Sequence, residues 1–83
     1  MNKKKLLQKI IQARGKSILF TDFTIIVEAF GFRLDRVSGS HHIYVHKPTG
    51  QIISAQCDGK DAKPYQIKQF IALIDRLDLK MED

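Results

Sequence analysis

Three histidines, His41, His42 and His46, fall within six residues of this chain. Their spacing limits the chemistry open to them. On an extended strand, His42 and His46 lie on one face but about 13 Å apart at ~3.3 Å per residue, too far to share a zinc ion. No Cys-x-x-Cys pair accompanies them, so a metal centre is not expected. Acid–base work suits them better. RNA can be cut without metal when a base takes the proton of a ribose 2′-hydroxyl and the freed oxygen attacks the adjacent phosphorus. That step needs a proton acceptor, a proton donor and positive charge near the phosphate. An imidazole can fill the first two roles near neutral pH. Ordinary surface histidines on a half-exposed strand would give the same local pattern, and no second base or nucleophile pair accompanies them.

The positive charge has several sources. Lys60, Lys63 and Lys68 cluster around the start of a C-terminal helix, whose first N–H groups also favour anions. They are candidate phosphate contacts, and a basic loop that is simply solvated would look the same. A denser block lies at the other end. Lys3, Lys4, Lys5, Lys9, Arg14 and Lys16 are all basic, with no acid before Asp22, so the net charge of +5 originates there. Such a segment can hold a phosphate backbone or an acidic surface, or form a solvated helix face. Cys57 alternates with Ile53 and Ala55 and reads as a small core residue. Asp58, Asp61 and Asp75 show no paired-carboxylate pattern.

The elements that must position these groups follow from periodicity. From Lys3 to Arg14, Leu6, Leu7, Ile10, Ile11 and Ala13 recur at helical spacing, and Gly15 ends that helix. A second helix opens at Thr21 as N-cap, with Asp22 in its first turn and Phe20 and Ile25 as a hydrophobic staple. Phe23, Ile26, Val27 and Phe30 form its stripe, and Gly31 closes it. Phe32 and Leu34 then alternate with Arg33 and Asp35 as a strand with one core face. After the Ser38-Gly39-Ser40 turn, His41, Ile43 and Val45 face one way and His42, Tyr44 and His46 the other. The second set is expected off the core face, which would leave His42 exposed and let Tyr44 stack a base. Gln51 to Gln56 makes a third strand, with Ile52-Ile53 leaving its facing open. Pro64 starts a last helix with the stripe Ile67, Phe70, Ile71, Ile74, Leu77.

The expected architecture is α+β, one domain over residues 1–83. Residues 1–19 form a basic helical extension. Residues 20–79 form an α-β-β-β-α core resembling the double-stranded RNA-binding domain (dsRBD): a three-stranded antiparallel sheet with both helices on one face. Composition agrees with a globular chain, at 43% hydrophobic and 28% charged. One cysteine excludes an internal disulfide and suits a reducing, cytoplasmic setting. The N-terminal apolar residues are split by Gln8 and Lys9, unlike a signal peptide. The densest apolar stretch contains Glu28, so no membrane span is expected.

Gly39-Ser40-His41-His42-Ile43-Tyr44 resembles the Gly-Ser-His-His signature of HicA toxins, the small partners of HicB antitoxins. The ordered surroundings resemble them too: a helix ending in Gly31-Phe32, a basic strand, a Thr49-Gly50 turn and the helix start Lys63-Pro64. The resemblance runs from about Phe20 to Leu79. It implies a ribosome-independent mRNA endoribonuclease with one catalytic histidine, no cofactor, and neutralisation by a HicB-like antitoxin covering the active face. Where the family signature has a single histidine, it takes the second place, which carries the role onto His42. His41 and Tyr44 are candidate assistants, and Ser40, Lys60, Lys63 and Lys68 are candidate RNA or phosphate contacts. The chain departs from the family at Ser54-Ala55-Gln56-Cys57, where a Pro-x-His segment is common, and at Tyr65-Gln66-Ile67 in place of Gly-Thr-Leu. The extension Met1 to Leu19 is a further departure. A non-catalytic RNA-binding module is the alternative.

Overall fold

A computed structural model describes residues 3–13 and 16–81. The elements run α1 (Lys3–Gln12), β1 (Ile18–Leu19), α2 (Phe20–Ala29), β2 (Arg33–Ser38), β3 (His41–His46), β4 (Gln51–Asp58), β5 (Asp61–Ala62) and α3 (Pro64–Arg76). The strands form one antiparallel sheet in the order β1-β5-β4-β3-β2. The α2-β2-β3-β4-α3 segment has the order of the double-stranded RNA-binding fold, with α1 and two short strands added.

The core is aromatic. The Phe70 ring on α3 meets Phe23, Phe30 and Phe32 at centroid separations of 5.7, 5.6 and 5.9 Å, each near edge-to-face. That geometry suits the ring quadrupoles and adds to the burial itself. Phe23, Ile26 and Val27 of α2 and Ile67, Phe70 and Ile74 of α3 are all buried, as their helical spacing predicts. Gly31 closes the α2 turn at φ 93°, a backbone value that L side chains rarely adopt.

Several details differ from the sequence reading. α2 starts at Phe20 rather than after a Thr21 cap, because Ile18-Leu19 is drawn into a two-residue ladder with Asp61-Ala62. Thr21 is thus inside the helix, and its carbonyl accepts the Thr24 hydroxyl at 2.9 Å. α1 docks on α2 through buried Leu6 and Ile10, so it is part of the packed structure and not a free arm. The expected helix end at Arg14-Gly15 lies outside the described residues. β2 is an edge strand exposed along its whole length; Leu34 is half open to solvent and only Phe32, just before the strand, is buried. Ile53 packs inward and Ile52 stands 63% exposed, which resolves their facing.

The largest difference is the orientation of β3. His42, Tyr44 and His46 lie on the side covered by helices, and His41, Ile43 and Val45 on the open side. Tyr44 is only 3% exposed, and His46 is buried too. The polar ends of Tyr44 and His46 are tolerated on this side because they find partners. Tyr44 bonds to Thr24 on α2. The His46 Nδ1 lies 2.7 Å from the Thr49 hydroxyl, and its ring packs 5.0 Å from Phe32. Among the described residues no helix is long and apolar enough to cross a membrane.

Candidate active site

The signature sits on the hairpin between β2 and β3. Ser38 pairs with His41, leaving Gly39-Ser40 as a two-residue turn. Gly39 takes φ +61° at its first position, the glycine-requiring position of a type II′ hairpin. This tight turn places His41 and His42 at the very end of the sheet.

From there the two side chains diverge. His41 is exposed on the open face, with its Nδ1 3.1 Å from the Ser54 hydroxyl of β4. That contact fixes the ring and leaves Nε2 facing outward. A second cross-strand contact lies beside it, where Gln56 Nε2 donates to the Ser40 hydroxyl at 3.3 Å. Arg33 and Arg36 share the face, since they pair with Val45 and Ile43. The Arg36 guanidinium also reaches Asp35 at 3.5 Å.

His42 points to the helix side and is half-buried. Its ring lies 5.0 Å from the Phe20 ring at the start of α2, and its register partners are Val37 and Ala55. Its Nδ1 is buried and has no hydrogen-bond partner among the described residues. Tyr44 is buried two residues on, so it cannot stack an incoming base. Burial pushes its phenol above the usual value near 10; the Glu28 carboxylate adds to the rise and the Thr24 bond opposes it.

Of the candidate cations, Lys60 is brought to the histidine end, because its carbonyl accepts the N–H of Phe20 at 2.8 Å. Lys63 is the N-cap residue of α3. Lys68 instead lines a groove with Leu7, Ile11, Asp75 and Asp78, which none of the histidines lines.

Against known families, residues 20–75 match the profile described as the HicA toxin of bacterial toxin–antitoxin systems. The chain belongs to the HicA toxin family. No curated protein and no solved structure matches it.

The matched span of this HicA toxin begins at Phe20, whose ring walls His42, and ends at Asp75 in the last turn of α3. α1 and β1 lie outside it. Three residues were given no site role by the sequence. Ser54 holds His41, Gln56 holds Ser40, and Phe20 covers His42. Ser54 and Gln56 do alternate on β4, and pairing β4 with β3 as neighbouring hairpin strands would have set them opposite the signature.

Proposed function

We propose that this HicA toxin is a metal-independent endoribonuclease that cuts mRNA without the ribosome and is silenced by a HicB-like antitoxin. The reading is carried by the pair of imidazoles at the sheet end: His41 is exposed and held by Ser54, and the half-buried His42 lies next to it with its Nδ1 turned inward. His42 is the catalytic histidine by its place in the family signature, and His41 assists it. One imidazole takes the 2′-hydroxyl proton as O2′ bonds to phosphorus. The P–O5′ bond breaks, and an imidazolium gives O5′ its proton, leaving a 2′,3′-cyclic phosphate and a 5′-hydroxyl. Lys60, Lys63 and Ser40 would contact the phosphates, and the antitoxin would cover this end of the sheet.

The test compares purified wild type, His41→Ala and His42→Ala on one RNA, with folding checked by circular dichroism. Removing a positioned acid–base group costs about 10²–10⁴-fold in rate. The expected result is that loss for His42→Ala, a smaller one for His41→Ala, and no effect of a chelator on wild type. Loss with His41→Ala alone would move the catalytic role to the exposed ring. Full activity in both variants would end the nuclease reading.

One observation favours a second reading, a non-catalytic RNA-binding module. A histidine base usually has its second nitrogen held by an acceptor, and the Nδ1 of His42 has none. RNA affinity that falls steeply with salt, with no cleavage products from wild type, would mark that outcome.

A further inference from the structure

The backbone of β4 is covered unequally along its length. β3 pairs with Gln51–Gln56 on one side, whereas β5 reaches only Cys57 and Asp58 on the other. Between these, the outer edge is met by a side chain. Gln56 N–H donates to Gln66 Oε1 at 3.0 Å, and Gln66 Nε2 donates to the Ser54 carbonyl at 3.2 Å. The buried Gln66 amide thereby stands in for one residue of a neighbouring strand. Backbone groups alternate in direction along a strand. The N–H and C=O of Ile52 and the N–H of Ser54 therefore point to the same outer side, and no strand or described residue pairs with them there. The opposite edge of the sheet is blunted by the Arg33, Asp35 and Arg36 charges and by a register shift between Leu34 and Arg36. The β4 edge has no such guard.

Alongside this edge runs a cleft of about 630 Å³ between β4 and α3. Ile52, Ile53, Tyr65, Phe70 and Leu73 are among its apolar lining, Arg76 supplies a positive charge, and none of the described acidic residues lines it. We propose that this edge is a docking site for an extended, acidic segment of a partner protein. The segment adds a strand beside Gln51–Ser54, sets alternate apolar side chains into the cleft and offers a carboxylate to Arg76. Strand addition of this kind draws affinity from main-chain bonds and selectivity from the pockets beside them. RNA has no repeating donor–acceptor ladder to match the edge. A second copy pairing by the same edge would set one Arg76-bearing cleft against another, with none of the described acidic residues lining either. The inference rests on edge geometry alone and holds whether or not the chain cuts RNA. Its consequence for the site is direct, since His41 lines the same cleft and Ser54 belongs to both.

The test uses the full chain, labelled with ¹⁵N, and a capped peptide of sequence Glu-Thr-Val-Thr-Val-Glu. A copy of the peptide with alternate amides N-methylated serves as the comparison. The unmodified peptide is expected to shift the amide signals of Ile52 and Ser54 and to slow their hydrogen exchange by at least about tenfold at saturation. The N-methylated copy, which cannot complete the ladder, is expected to do neither, and Arg76→Glu protein to bind the first peptide several-fold more weakly. The proposal is overturned if neither amide responds, or if both peptides bind equally. It is also overturned if protection and a doubled mass are present without peptide, or if oligouridylate moves these amides and the peptide does not.

Discussion

Tyr44 and His46 lie beneath α2 and α3, each with a hydroxyl partner, while their neighbours Ile43 and Val45 stand on the side of the sheet that no helix covers. The covered side is thus aromatic and polar-tipped, and the open side mixes aliphatic residues with Arg33, Arg36, His41 and Ser54. Burial on β3 falls on Tyr44 and His46, whose polar ends meet Thr24 and Thr49, and not on the more apolar Ile43 and Val45. The open face thus exposes apolar area, most of all at Ile52, beside basic groups. The pair His41–His42 straddles the boundary, one ring on each side.

That contrast can be broken most sharply at Phe70. Phe70→Ala removes the ring on which Phe23, Phe30 and Phe32 converge and is expected to cost about 3–5 kcal/mol in denaturant unfolding. Ile52→Ser on the open face should stay within about 0.5 kcal/mol. Equal losses at the two sites would mean that the faces are not distinct. A smaller effect is expected at Gln66, whose side-chain amide pairs with the β4 edge. Gln66→Ala leaves Gln56 N–H and Ser54 C=O without their partners, and about 1–3 kcal/mol should be lost by the same measurement.

The smallest effect tests whether Tyr44 belongs to the interior. Its folded-state pKa is raised, so below pH of about 10 the phenol is neutral in both states and pH has no leverage through it. As pH rises past the unfolded value, the unfolded chain loses the proton first, and stability falls. Thermal unfolding of wild type should therefore decline more steeply above that pH than Tyr44→Phe protein, which has no such proton to lose. Parallel curves would place the phenol in water.

Much of the scaffold could be read from residue order. The α2 and α3 stripes, the Gly31 stop, the Gly39 turn and the three main strands follow from periodicity and turn chemistry, and the signature led to the family. The facing of β3 could not be read this way. Alternation divides a strand into two sets but does not say which one meets the helices. Here Ile43 and Val45 look like core, while His42, Tyr44 and His46 look like surface. What reverses them is mostly tertiary: Thr24, Phe32 and Phe20 arrive from other elements to pair with or wall these rings, and only Thr49 comes from the adjoining turn. The two-residue strands β1 and β5 are too short to carry a period, and they displaced the apparent Thr21 cap. Gln66 was invisible for a related reason. A glutamine in a helix announces nothing until a strand edge lies beside it.

The chain has two tyrosines and no tryptophan, so near-ultraviolet emission comes from two places of opposite character. Tyr44 is enclosed under the helices, whereas Tyr65 is half-exposed in the cleft beside β4. A soluble quencher such as acrylamide would dim the second and largely spare the first. The protein thus carries an intrinsic optical probe of its cleft, readable against a shielded internal standard without any attached dye.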